Sequence, residues 1–225
     1  MSTARNAAHQ PFSASAQPSL TERRKAETRM EIARAAAALF VQQGLRATRA
    51  EDIAQAAGIA PRTFYRYFAT KEESVAPLYA AGAQRWAEAV RAAPAHLTAP
   101  EALEHAVRHT LTPGAAVSAA SWEWVRTLIR LADTSTALRK VWAEVCQASE
   151  GALAEILAAR RPATAGEAPV PPGLRFAAAV AGAAVRVAVE TWAATEAPPT
   201  GPDGPAALAL RHLAALRGFT WGEEG

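Results

Sequence analysis

The chain has 225 residues, half of them hydrophobic, a single cysteine and a net charge of +3. That length admits one or two domains with a substantial core, and one cysteine excludes an intrachain disulfide framework and fits a reducing compartment. No run approaches the ~20 apolar residues of a membrane span and the N-terminus lacks an apolar signal core, so a soluble cytoplasmic protein with no membrane partner is expected.

Ala, Leu, Arg and Glu dominate, and alternating β-branched runs are absent. An all-α fold follows. Residues 1–20, rich in Ala, Ser, Gln and Pro, read as a disordered arm, with Arg5 and the cluster Arg23, Arg24 and Lys25 available to a nucleic-acid backbone. A first helix is predicted from Thr21 or Glu22 to Gly44, with Ile32, Ala35, Ala36, Leu39 and Phe40 along one apolar stripe. Two short helices around Gly58 follow. In the first, Ile53, Ala54 and Ala57 face inward. In the second, Pro61 suits the first turn, Phe64 and Phe68 share one face, and Arg62, Thr63, Arg66 and Tyr67 fall on the others with Tyr65 at the border. This is the division of a helix-turn-helix recognition helix, one side buried and the other aimed at bases and phosphates. Residues 1–71 hold eleven Lys/Arg against five Asp/Glu, whereas the remainder has an acidic excess. The positive charge therefore lies with the motif, as phosphate neutralisation requires.

The segment from about Arg24 to Thr70 resembles the DNA-binding domain of the TetR (tetracycline-repressor) family of transcriptional regulators. The likeness is carried by Ile32-Ala33-x-Ala35-Ala36-x-x-Leu39-Phe40-x-x-x-Gly44, by Thr48-x-x-Glu51-Asp52-Ile53-Ala54-x-Ala56-Ala57-Gly58-Ile59, and by Arg62-Thr63-Phe64-Tyr65-Arg66-Tyr67-Phe68 with Lys71-Glu72. The resemblance implies that Ala60, Pro61, Arg62 and Thr63 lie nearest the base edges and that Tyr65 and Tyr67 contact groove and phosphate, with Arg66 on the same outward side. It implies phosphate contacts for Thr48 and Lys71. Arg49 stands where the family has a Ser or Thr cap before its second helix. Thr48 and Glu51 have capping-box spacing, so the cap is expected one residue upstream, leaving Arg49 free to point to backbone or groove.

A longer helix is predicted from Lys71 to Ala93, with Pro77 kinking it or delaying its regular start. Further helices are expected at about Ala99–Leu111 with Thr98 as cap, Ala115–Ala132, Thr136–Arg160, Gly173–Thr195 and Gly204–Gly218, separated by Pro/Gly-rich loops. The organisation is a disordered arm (1–20), a three-helix DNA-binding domain (21–70) and a C-terminal helical bundle for ligand binding and dimerisation (71–225), about nine helices in all. The small residues of 177–185 and the stripe Ala206, Ala209, Leu210, Leu213 and Leu216 exceed one core's needs and suggest a two-fold interface through the last two helices. The resemblance implies the same homodimer, on a palindromic double-stranded DNA operator.

It also implies a small-molecule effector in the bundle. Candidate pocket residues are Trp86, Trp122, Arg126, Trp142 and Arg186. Trp122, Arg126 and Arg130 are spaced by four and share a helix face, and an Arg beside aromatics suits an anionic or aromatic ligand. His105 and His109, with Glu101 one turn earlier, have metal-ligand spacing but no supporting cluster, so no metal and no cofactor is expected. No phosphate loop, nucleophile motif or carboxylate pair supports catalysis. The reading is a ligand-released repressor. The alternatives are a ligand-independent regulator or activator of the same fold and, third, a helical enzyme or carrier.

Overall fold

The computed structural model describes residues 19–114, 119–161, 170–216 and residue 218. Residues 1–18 of the arm, the segment 115–118 and most of the 162–172 loop lie outside these residues, whereas Ser19 and Leu20, expected in the arm, begin the first helix. Among the described residues there are nine α-helices and one 3₁₀ turn.

Helix α1 (Leu20–Gln43) starts at Ser19, whose hydroxyl accepts the Glu22 N–H (3.2 Å) while the Glu22 carboxylate accepts the Ser19 N–H (2.7 Å). This reciprocal box satisfies two orphan donors of the first turn. Helix α2 (Ala50–Ala56) packs against α1, and α3 (Pro61–Tyr67) against α2. Pro77 delays the regular start of the next helix rather than kinking it. A 3₁₀ turn, Glu73–Val75, comes first, and α4 (Ala76–Ala92) then begins with Pro77 in its first turn. The proline's missing N–H is harmless there. The bundle continues with α5 (Ala99–Thr110), α6 (Ala119–Thr134), α7 (Thr136–Ala159), α8 (Pro172–Ala193) and α9 (Pro205–Ala215).

Among the described residues two larger cores, beside a small cluster of Trp122, Ile129, Trp192 and Ala193, divide the molecule, but not at residue 70. One joins α4, α5, α7, α8 and α9 around Leu103, Val107, Leu153 and Ala181. The other starts with Ile32, Phe40, Ile53 and Phe64 and runs on without a gap to Tyr79 of α4, Leu128 and Ala132 of α6, and Leu138 and Val141 of α7. The core of the short helices thus continues into the bundle, with α1 packed on both α4 and α6. A side chain such as Phe64, fully buried, contributes about 1.5–3 kcal/mol by leaving water.

Helix α8 corrects one expectation. It is long and apolar enough, by length and composition, to cross a membrane. Here it packs on α7 and α9.

Candidate nucleic-acid interface and effector cavity

The turn between α2 and α3 explains the sharp reversal of the chain. Gly58 has φ +68°, the left-handed conformation that glycine adopts at least cost. The Gly58 N–H donates to Gln55 O (3.0 Å) and the Ile59 N–H to Ala54 O (2.9 Å). This pair of bonds closes a Schellman cap on α2, and Ile59 turns back onto the core.

Helix α3 then splits as its spacing predicts. Phe64 and Phe68 are buried. Ala60, Pro61, Arg62, Tyr65 and Arg66 are exposed, and Thr63 and Tyr67 are half-buried. The Tyr65 hydroxyl donates to Glu51 Oε1 (3.3 Å), which ties the exposed edge of α3 to α2. The nearby Glu51 charge pushes the Tyr65 phenol up from its ordinary range. The Arg66 guanidinium lies 5.5 Å from the Tyr67 ring centroid.

The start of α2 differs from expectation. Arg49 is itself the N-cap, and its N–H donates to the carboxylate Oδ2 (2.8 Å) of Asp52, the third residue of the helix. The Arg49 side chain stays exposed. Thr48 is not the cap. It is 1 % exposed, its hydroxyl donates to Gly44 O (2.9 Å) and it accepts from Gln43 Nε2 (3.2 Å). A carbonyl just beyond the end of α1 needs a donor, and Thr48 supplies it. The phosphate contact implied for its side chain has no free group to make it.

Lys71 Nζ donates to Leu45 O (2.7 Å) and Thr48 O (2.8 Å), so it fastens the α1–α2 loop. An ammonium has three donors, and one remains for a phosphate. Sequence reasoning missed Arg29. From α1 it donates to Tyr67 O (2.9 Å) and its guanidinium sits 4.5 Å from the Phe68 centroid, fixing the C-terminal end of α3. The signal was present: Arg29 lies three residues before Ile32, on the same stripe.

A cavity of about 600 Å³ opens between α4, α6, α7 and α8. Of the five candidate pocket residues, Trp86, Trp122, Trp142 and Arg186 line it. Trp142 Nε1 donates to Glu190 Oε1 (2.7 Å), and Arg186 donates to Glu190 Oε2 (2.9 Å), so Glu190 answers both. The Trp142 ring meets Tyr79 edge-on at 5.0 Å, and the Tyr79 hydroxyl donates to Leu128 O (2.9 Å). Burial pushes that phenol well above its ordinary range.

Arg126 is a correction. It does not line the cavity. It stacks 4.4 Å from the Trp192 centroid, donates to Ala197 O and pairs with Glu123 and Glu196. Arg130 reaches the same loop, donating to Thr195 O (2.7 Å) and Glu196 Oε1 (2.6 Å). Their shared face points at the α8–α9 connection, where backbone carbonyls past the end of α8 attract cations. Among the described residues no group of three or more His, Cys, Asp or Glu could hold a metal ion.

These features define a helix-turn-helix protein whose reading helix is carried on a hollow helical bundle. Residues 32–75 match the family described as bacterial regulatory proteins, tetR family. Over these residues the chain is similar to the TetR family. It is 31 % identical over 145 residues to the HTH-type transcriptional regulator TcmR of Streptomyces glaucescens, and the match spans 64 % of each chain. Over 47 residues it is 51 % identical to the HTH-type transcriptional repressor KstR2 of Mycobacterium tuberculosis, covering 21 % of this chain and 24 % of that one. The fold is shared with Thermus thermophilus FadR, a TetR-family repressor solved in complex with lauroyl-CoA (24 % identity, 84 % of this chain and 92 % of that one, TM-score 0.52). It is also shared with a TetR-family regulator from Rhodococcus sp. (19 % identity, 84 % and 98 % coverage, TM-score 0.54).

Proposed function

We propose that the chain is a sequence-specific DNA-binding transcriptional regulator, a repressor released from its operator by a small molecule. The observation that carries this reading is α3: Phe64 and Phe68 are locked in the core while Arg62, Tyr65 and Arg66 stand exposed on a helix preceded by Ala60 and Pro61. Such a helix enters a major groove with its N-terminal residues toward the bases. Arg62 and Thr63 read base edges. Tyr65, Arg66 and Tyr67, with Arg49 and the third donor of Lys71, hold the backbone.

A homodimer fits the second half of the site. On α8, Phe176 and Val187 are eleven residues apart, hence three turns along one face, and are 61 % and 41 % exposed. Pairing these faces by a two-fold axis would place two α3 helices on half-sites about 34 Å apart or a multiple of it. The protein would work in the cytoplasm. The cavity favours a ligand-responsive regulator over a ligand-independent one, since its volume is that of a small-molecule site.

In vitro selection from random duplexes, read by sequencing, tests the proposal. Recovery of a palindromic consensus is expected. Binding that is equally tight to every duplex, or absent at low salt, would sink it.

A further inference from the structure

The walls of the cavity specify more than its size. Tyr79, Trp86, Trp122, Trp124 and Trp142 all line it. The Nε1 atoms of Trp86 and Trp122 are buried without a hydrogen-bond partner. A buried donor without an acceptor carries its full desolvation cost. The cavity is also lined by Arg34 and Arg85, both exposed residues. Arg85 Nε reaches only a carbonyl of its own helix, Ala81 O (3.3 Å). Arg34 has no ion pair or hydrogen bond among the described residues. Arg34 belongs to α1, the helix whose Ile32 and Ala36 form the core of the DNA-reading end.

We propose that the cavity takes a flat aromatic ligand bearing acceptor oxygens and an anionic edge, and that Arg34 grips that edge from α1. The inference rests on the cavity being the effector site. Aromatic walls favour offset or edge-on packing with a planar ring system. Carbonyl or phenolic oxygens supply the acceptors that the two indoles lack, reached when those rings turn about their side-chain bonds. The anionic edge meets the free guanidinium of Arg34, with Arg85 beside it, in charge-assisted hydrogen bonds. A plain aliphatic chain would leave both indole donors unanswered. The ligand would then touch the reading end directly, and not only through α4.

Quenching of intrinsic tryptophan fluorescence tests this on the full chain. The probes are anthraquinone-2-sulfonate, its uncharged analogue 2-(hydroxymethyl)anthraquinone, and lauroyl-CoA. Saturable quenching is expected for both quinones, with the sulfonate about tenfold tighter, the size of one charged hydrogen bond. Arg34→Gln should erase that difference while leaving the uncharged probe within about twofold, an asymmetry that general loosening of the fold would not produce. Gly82→Phe should block both quinones. Gly82 lines the cavity, and a Cβ there meets nothing within 4 Å, so the larger side chain fills the space without a clash at its root. Tight binding of lauroyl-CoA with neither quinone bound would overturn the ligand class. An Arg34→Gln variant that binds both quinones as the wild type does would overturn the role of Arg34. Anisotropy of a selected duplex on the same preparations separates the two readings. Probe binding without DNA binding would sink the regulator and spare this site, and the converse would sink this site alone.

Discussion

The ammonium of Lys71 is bonded to the main-chain carbonyl of Thr48 across 23 residues of sequence, at 2.8 Å, and to Leu45 O beside it. One side chain therefore closes the loop that orients α2 and still has a donor pointing elsewhere. Lys71→Met should cost about 1–3 kcal/mol of stability through the two lost charged bonds. It should also weaken DNA binding uniformly across sequences and reduce the salt slope by about one. Anisotropy titrations at several salt concentrations, beside urea melts, separate these effects. An unchanged slope would leave Lys71 a loop fastener only. Tyr67→Ala should weaken specific binding as well, and equal affinity in the same titration would remove Tyr67 from the interface.

Arg62 should decide sequence preference. It is exposed in the first turn of α3, where base edges come closest. Arg62→Ala is expected to relax the consensus at one position per half-site and to cost about 1–3 kcal/mol against the preferred base. Selection returning the same consensus for variant and wild type would count against this role.

Arg29 is expected to matter for stability and for the pose of α3. Its bond to Tyr67 O and its stacking on Phe68 act together. Arg29→Met keeps much of the apolar stem and loses both, at a cost of about 2 kcal/mol. Urea denaturation gives the number. A loss under 0.5 kcal/mol, the usual scatter of surface substitutions, would show that α3 holds its place unaided.

Much of this was legible in the sequence, for a definite reason. The pattern Gly58, Pro61, Phe64 and Phe68 fixes a turn and a buried face within a few residues, where local geometry leaves one solution. Direction along a helix was equally readable. Trp122, Arg126 and Arg130 do share a face. What that face meets is not readable, because a 3.6-residue period says nothing about which distant loop comes to it, and Arg126 meets Trp192 and Ala197 and not the cavity. The cap of α2 failed similarly. Thr48 and Glu51 have the right spacing, but the Thr48 hydroxyl donates to Gly44 O and accepts from Gln43 Nε2, and it is Asp52 that accepts the Arg49 N–H.

Val187→Glu should yield a monomer. The substitution puts a charge on the exposed face of α8, where Val187 is 41 % exposed, at little cost to the protomer. Sedimentation velocity should then show one species of about half the wild-type mass, with DNA affinity falling because two half-sites no longer bind as one. An unchanged dimer would move the interface off this face.

Cys146 should be inert. Burial pushes its thiol up to about 12 from an ordinary 9.0, with Arg186 opposing the rise and Glu190 and Glu150 adding to it. The thiolate is the reactive form, so iodoacetamide at pH 8 should label the unfolded chain much faster than the folded one. The sign for stability follows. Above pH 9 the unfolded thiol ionises while the folded one stays protonated, so this group lowers stability as pH rises from 9 toward 12. Labelling rates equal in native buffer and in urea would contradict both statements.

The core that runs from Phe64 through Tyr79 to Leu128, Leu138 and Val141 has a consequence for building hybrids of this protein. A DNA-reading segment cut at residue 70 would leave Leu128, Ala132, Leu138 and Val141 of the same core behind in α6 and α7. A chimera that transplants this reading specificity onto another regulator would have to bring those bundle side chains with it, or choose a recipient that already presents the same surface. Interchangeability is therefore set by a few side chains of the bundle that never approach DNA.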